Sequence, residues 1–397
     1  MKIGIVIWEL KVNFGGLERV GLELATAMTK RGHKVIIYYR DILNIHDTLI
    51  CRVNDIEYMN LTLTNGDQIE IEKNKELIIK SNIDVLIAMF SWRDLMWFPK
   101  LLHNTGIPLI VSEHNFAPII EHERWNPLEH RACLAAADSI HILLDSFKNN
   151  YPLFLHDRIN VIHNPVPDTN LRADAAGGKT NSKVILAAGR FVESHKQFSL
   201  LIQAFALLAS KFPNWHLKIC GNGPDMLFYI QLIQRLSLSE RVTLPGFITD
   251  VSIEYSKSQL FCIPSKYEGF GLVTVEAQRQ GLPVIGFEQC PGTNELIING
   301  SNGLLAEEMT LISLAKSLQI LMANASLRIK MGKNGLEFAK KFDPEPIYDK
   351  WEQLIKTTAK VKGQTRLNIE VNKSEESRAY TMLLNILQRN QTFYPFS

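Results

Sequence analysis

Short apolar runs alternate with amphipathic stretches along most of the chain. The first run, KIGIVIW (residues 2–8), predicts a strand. A Gly-containing loop follows, then a helix from about Gly16 to Arg31 that stops at Gly32, then a second strand at VIIYY. Further strands are predicted at DVLIAMF (84–90), PLIVSE (108–113), DSIHILL (138–144) and RINVIHN (158–164). Near Pro165 the texture becomes polar and rich in Pro and Gly, which predicts a linker over 166–181. The alternation then restarts. KVILAAGR (183–190), a helix from about Phe198 to Lys211, HLKICG (216–221), RVTLPGF (241–247), QLFCIPS (259–265) and PVIGF (283–287) form a second set. Strands alternating with helices imply mostly parallel sheets with ligands at the carboxyl ends of the strands. The fold class expected is α/β, with two Rossmann-like doubly wound domains at 1–165 and 182–342.

After Phe342, DPEPIYDKWEQLIKTTAK predicts a helix over 343–361, with Asp343 as cap and Pro344 in its first turn. Residues 362–397 form a tail whose segment EESRAYTMLLNILQR has helical periodicity. It suits packing on a domain, or contact with a partner or membrane.

Composition narrows the function classes. The chain has 397 residues and a formal net charge of +2, which gives no reason to expect nucleic acid as a partner. Residues 1–165 hold 17 basic against 20 acidic side chains and the remainder 26 against 21, so the second half suits an anionic ligand slightly better. The five cysteines are scattered without a CxxC pair and read as reduced thiols of a cytosolic protein. No apolar run approaches 18 residues, so no spanning helix is expected. Segment 91–103, SWRDLMWFPKLLH, has two readings. Exposed, its aromatic and basic residues suit a peripheral membrane contact; packed, it is an amphipathic helix on the sheet.

Candidate chemistry concentrates in PSKYEGFGLVTVEAQRQGLPVI (264–285). Glu268 lies in a Gly-rich turn and Glu276 follows eight residues later in a helix-forming run. Eight helical residues rise about 12 Å. That is too far for both carboxylates to act on one bond, but it suits gripping the two ends of an elongated ligand. A plain strand–loop–helix with Glu276 on a solvated face is the competing reading. A helix starting near Gly271 would point its first-turn N–H groups at the turn, which suits an anion or a set of hydroxyls. Arg190 and Lys196, six residues apart after a strand, suit a diphosphate. Gly15 and Gly16 open the first helix in a spacing that is not GxGxxG. Glu113-His114-Asn115 ends a strand, and His114 is the best candidate for a group at a reacting centre. The lone Gly221-Asn222-Gly223-Pro224 suits a turn. His114, His122 and His130 do not match metal-ligand spacing, and the chain has no Asp-x-Asp pair, so no metal site is expected.

The ordered set GGLER, EHN, NPV, GRFVESHK, GNGP, PSKYEGFGLVTVEA and GTNELI…NGSNGLL resembles retaining glycosyltransferases of family 4 over about residues 2–360. The resemblance implies a GT-B fold, two Rossmann-like domains facing a central cleft. The final helix, 343–361, would cross back to the first domain. It implies transfer from a nucleotide-sugar, most plausibly a UDP-sugar, to a saccharide or lipid-linked saccharide in bacterial surface-polysaccharide assembly. The expected setting is cytoplasmic, without resident cofactor or metal, and at most peripheral to the inner membrane face. By resemblance, Arg190 and Lys196 hold the diphosphate, Glu276 the ribose, and Glu268 the donor sugar. Phe270, Gly271 and Leu272 supply backbone N–H groups, Gly15 and Gly16 approach the diphosphate, and His114 stands near the transferred sugar. The loop Cys-Pro-Gly-Thr-Asn-Glu (290–295) departs from the Gly-Gly pair common in the family. A nucleotide-sugar epimerase and a non-catalytic partner subunit share this fold and are the competing functions.

Overall fold

The computed structural model describes residues 1–7, 16–40, 54–62, 67–89, 93–123, 126–178, 182–361 and 375–388. The chain divides into two compact units, Met1–Pro165 with Glu345–Ser397, and Val166–Pro344.

The first unit is built on strands β1 (Lys2–Val6), β2 (Lys34–Tyr39), β3 (Ile56–Asn60), β4 (Val85–Met89), β5 (Leu109–Ser112), β6 (Ser139–Ile142) and β7 (Ile159–Val161). Their order is β3-β2-β1-β4-β5-β6-β7 and every pairing is parallel. β4 and β5 are buried throughout, as a sheet covered on both faces requires. The helix Gly16–Lys30 buries Val20, Leu24, Ala25 and Met28 on one face. It ends where the His33 N–H bonds the Met28 carbonyl and Gly32 turns left-handed at φ +84°, a conformation that favours glycine. β3 carries mixed polarity, Ile-Glu-Tyr-Met-Asn, because it is an edge strand; that texture hides it in the sequence.

The returning helix Pro344–Thr358 packs on this unit and buries Ile347, Tyr348, Trp351, Leu354 and Ile355. Arg31 donates to Glu345 (2.7 Å), Asp349 (2.6 Å) and Glu352 (3.1 Å) along its face. The tail helix Glu375–Gln388 also belongs here. It buries Ala379, Tyr380, Leu383 and Ile386, and Arg158 donates to the Tyr380 hydroxyl at 2.8 Å. That face is therefore occupied by packing. The lipid-contact reading of segment 91–103 falls on its described side chains. Leu95, Met96, Trp97, Phe98, Lys100, Leu101 and Leu102 are all buried, because they fill the space beside the sheet. Trp92 lies outside the described residues. Among the described residues no helix is long and apolar enough to cross a membrane.

The second unit carries β8 (Lys183–Ala188), β9 (Trp215–Cys220), β10 (Val242–Gly246), β11 (Leu260–Cys262), β12 (Val284–Phe287) and β13 (Gly303–Ala306) in the parallel order β10-β9-β8-β11-β12-β13. One sheet face packs Ile185, Leu217, Ile219 and Ile285 against Leu201, Phe205, Leu314 and Leu318. The other packs Leu186, Phe261 and Val284 against Tyr255, Ala277 and Ile297.

The segment 166–181 is not a free linker where it is described; it is part of this unit. The Ala173 N–H bonds the Gln280 carbonyl at 2.8 Å. Buried Arg328, above the Trp215 ring, donates to the carbonyls of Ala175 (2.7 Å) and Ala176 (2.8 Å). Polar composition suggested a spacer, but a guanidinium 152 residues beyond Ala176 satisfies its backbone. Gly303 opens β13. A Cβ there would lie 2.1 Å from the Val284 carbonyl oxygen.

Candidate active site

In the second sheet, β8 pairs with β9 on one side and β11 on the other. The strand order reverses between β8 and β11, and loops leaving such a point at the carboxyl ends form a natural ligand crevice. The loop after β8 carries Arg190 and the short helix Glu193–Lys196. The loop after β11 carries Ser265 and Glu268. The two meet. Lys196 Nζ lies 2.5 Å from Glu268 Oε1, and the Ser265 hydroxyl donates to the same oxygen at 2.6 Å. His195 stacks on Tyr267 with ring centroids 4.3 Å apart, and its Nε2 bonds the Tyr267 carbonyl at 2.7 Å.

Glu268 is buried. Burial alone pushes its carboxyl up. The charges of Lys196 and His195, with the bonds from Lys196 and Ser265, outweigh that and hold it below the usual carboxylate range. Gly292 braces it from behind. The Glu268 N–H bonds the Pro291 carbonyl, and a Cβ on Gly292 (φ +95°) would lie 2.3 Å from the Glu268 carbonyl oxygen. The single glycine of the Cys-Pro-Gly-Thr-Asn-Glu loop thus supplies the close approach.

Phe270, Gly271 and Leu272 enter the helix Leu272–Arg279. Gly271, at φ +84°, caps it without a side-chain acceptor, so its first-turn N–H groups have no side-chain cap. Glu276 stands one turn on and receives the Tyr255 hydroxyl at 3.1 Å. Arg190 is exposed and has no side-chain partner among the described residues. Gly221 and Gly223 back its loop. A Cβ at Gly221 would fall 1.9 Å from the Gly189 carbonyl oxygen, and one at Gly223 would fall 2.4 Å from that of Phe191. Asp225 accepts the Glu193 N–H at 2.7 Å, and Glu193 in turn accepts the Tyr229 hydroxyl at 2.9 Å. Gly221-x-Gly223 therefore holds the cationic loop against β9 and does more than turn the chain.

Gly16 and His114 lie in the first unit. Gly16 is the exposed first residue of its helix, and Gly15 lies outside the described residues. His114 follows β5, partly buried, with Nε2 2.8 Å from the Ser112 hydroxyl. Burial first, and then neighbouring His141, hold its imidazole well below its usual range. Glu113, beside it, is buried and bonds His130 Nε2 at 3.0 Å. Burial pulls His130 down, but Glu113 and Glu121 raise it to about 9, so it is a buried imidazolium. Among the described residues no three His, Cys, Asp or Glu side chains cluster as metal ligands.

Ser265, Tyr255, Ser112 and His141 were not singled out in the sequence. Ser112 and His141 leave a trace there, as polar residues in the apolar strands LIVS and SIHI. The others touch their partners only through the fold.

Two family models divide the chain. Residues 14–170 match Glycosyltransferase Family 4, and residues 171–338 match Glycosyl transferases group 1. The chain belongs to the family 4-type glycosyltransferases of GT-B fold. An uncharacterized glycosyltransferase of Haemophilus influenzae is 28% identical over 361 residues, covering 89% of this chain and 99% of the relative. The Campylobacter jejuni GalNAc-alpha-(1->4)-GalNAc-alpha-(1->3)-diNAcBac-PP-undecaprenol alpha-1,4-N-acetyl-D-galactosaminyltransferase is 25% identical, covering 89% of this chain and 98% of the relative. Among solved structures, Anabaena Alr3699/HepE in complex with UDP and glucose superposes with a TM-score of 0.76. It is 20% identical and covers 90% of this chain and 100% of that one. At that identity the likeness speaks for the fold alone.

Proposed function

We propose that this glycosyltransferase moves a sugar from a UDP-sugar to a saccharide or lipid-linked saccharide, retaining anomeric configuration, in the assembly of a bacterial surface glycan. The observation that carries the reading is the meeting of Lys196, Glu268 and Ser265 where the second sheet reverses its strand order, with the exposed cation Arg190, which has no side-chain partner among the described residues, on the same loop as Lys196. Support for the donor and acceptor classes comes from relatives: the HepE complex holds UDP and glucose, and the Campylobacter enzyme's name specifies an undecaprenol-linked acceptor.

Leaving-group departure builds negative charge on a diphosphate. Arg190 and Lys196 place fixed positive charge there, and the start of the helix Leu272–Arg279, which has no side-chain cap, adds N–H donors. In this reading those groups carry the electrostatic work without a metal ion. Lys196 is shared between Glu268 and the phosphates. Glu268, kept ionised, accepts hydroxyls of the donor sugar, and Glu276 accepts those of the ribose. His114 faces a hydroxyl at the reacting centre. The leaving phosphate helps take the acceptor proton from the same face, so no separate strong base is required. Nucleotide-sugars place the reaction on the cytoplasmic side.

The test is Arg190→Ala in a donor-panel transfer assay. Because Arg190 is exposed and has no side-chain partner among the described residues, the variant should unfold as wild type does, while kcat falls by about 10²-fold or more with the preferred donor. Wild-type kcat in the variant would refute the diphosphate assignment. NMR of the product's anomeric proton decides retention, and an inverted product would overturn that part.

A further inference from the structure

The helices that follow β8 and β11 cover opposite faces of the second sheet: Leu201 and Phe205 lie on one, Ala277 on the other. The loops leading to them therefore part at the carboxyl end of the sheet, and a crevice opens between them. Two ties cross it. One is charged, Lys196 to Glu268 at 2.5 Å. The other comes from half-buried His195, one residue earlier, and needs no charge. The His195 carbonyl accepts the Lys266 N–H at 2.8 Å, its Nε2 bonds the Tyr267 carbonyl oxygen at 2.7 Å, and its ring lies on that of Tyr267 at an interplanar angle of 11°. A carbonyl only accepts, so Nε2 carries a proton and donates whether the imidazole is neutral or charged. Each loop is also braced from outside. Glu193 accepts the Ser199 N–H at 3.2 Å and the Tyr229 hydroxyl at 2.9 Å, and the Glu268 N–H bonds the Pro291 carbonyl at 2.9 Å. These braces hold each loop to its own surroundings; the ties from His195 and Lys196 set the spacing between the loops.

We propose that His195 and Tyr267 are positioning residues that keep Glu268 at a fixed distance from the cationic loop while Lys196 turns from Glu268 to the diphosphate of the donor. In the ligand-free protein the two ties share this task. A diphosphate competes with Glu268 for the Lys196 ammonium, and an ion pair shared with a ligand constrains the loops less. The His195 tie loses nothing in that exchange, because it consists of a ring stack, a ring N–H and backbone groups already paired with one another. Glu268 then meets the sugar hydroxyls at its ligand-free position, and no loop has to reorganise during transfer.

The functional half of this inference rests on the proposed nucleotide-sugar reaction; the tie does not. Native-state hydrogen exchange at the Lys266 amide, corrected for its intrinsic rate, reads the tie without substrate. Lys196→Ala/Glu268→Gln removes the charged tie. His195→Ala should speed Lys266 exchange by no more than about threefold in the wild-type background and by about tenfold or more in that double variant, where the charged tie no longer shares the task. Equal acceleration in the two backgrounds would overturn the proposal. If the triple variant does not fold, UDP added to His195→Ala takes its place: it should speed Lys266 exchange there and not in wild type, and an unchanged rate in both would overturn the proposal. In the transfer assay His195→Ala should lower kcat about tenfold and leave inhibition by UDP within about threefold of wild type. His195→Gln, whose amide can also donate to the Tyr267 carbonyl, should recover most of that kcat. A wild-type kcat in His195→Ala, or a kcat that His195→Gln does not raise, would overturn the positioning role. Absence of transfer from every nucleotide-sugar in the wild-type protein would instead sink the reading of the reaction and leave the exchange result standing.

Discussion

Lys196→Ala should turn a stabilising carboxylate into a destabilising one. In the native protein Glu268 and Lys196 are 2.5 Å apart, with side-chain exposures of 9% and 14%. Removing one partner of a buried pair costs about 3–5 kcal/mol, because the remaining charge stays desolvated. Ser265 and His195 remain beside Glu268, so the lower end, about 3 kcal/mol, is expected for the second unit. Lys196→Ala/Glu268→Gln removes the stranded charge and should recover about 2 kcal/mol of this, and neither variant should transfer sugar. The pH dependence gives the sign. In wild type the folded carboxyl titrates below its unfolded value, so its stabilisation is present above about pH 4.3 and is lost as pH falls through the folded value. Without Lys196, burial dominates and the carboxyl titrates above the unfolded value. Lys196→Ala should therefore gain stability relative to wild type as pH falls from 7 towards 5. Hydrogen exchange of β8, β9 and β12, corrected for intrinsic rates, reads the opening free energy of this unit apart from the other. A loss below about 1 kcal/mol at pH 7, or a double variant no more stable than Lys196→Ala, would refute the buried-pair reasoning.

Further outcomes concern two histidines and two glycines. His130, raised to about 9, contributes stability that is complete below pH 6.5 and lost as pH rises through 9; His141, lowered to about 4, costs stability as pH falls from 6.5 towards 4. Each is worth about 3 kcal/mol by linkage, so urea unfolding of the first unit should be hardest near neutrality, and His130→Gln should abolish the alkaline arm only. Gly292→Ala should disable transfer and lower the melting temperature, since its Cβ meets the Glu268 carbonyl oxygen at 2.3 Å. Gly300→Ala, also at positive φ but with nothing within 4 Å, should cost only about 1–2 kcal/mol of backbone strain and keep activity.

Much of the architecture was legible in the chain. Strands buried on both faces announce themselves as apolar runs, and the parallel sheets follow from their alternation with helices. The strand ends that carry Arg190, His114 and Glu268 could be located for the same reason. Edge strand β3 and the segment 166–181 were not legible. Their polar texture mimics loop, and what makes them structure is a hydrogen-bond partner far away in sequence: β2 for the one, Arg328 for the other.

The sequence alone determined which residues stand at the carboxyl ends of strands, and the ordered motifs that place the chain in its family. Tertiary structure decided which of those residues act together. Lys196 and Glu268 are 72 positions apart, and they meet because β8 and β11 are neighbours at the point where the sheet reverses. Ser112 and His141 are 29 apart and meet only because β5 and β6 pair with those two residues in register. Strand order sets such pairings and periodicity does not report it, since any order of buried parallel strands shows the same alternation of apolar runs.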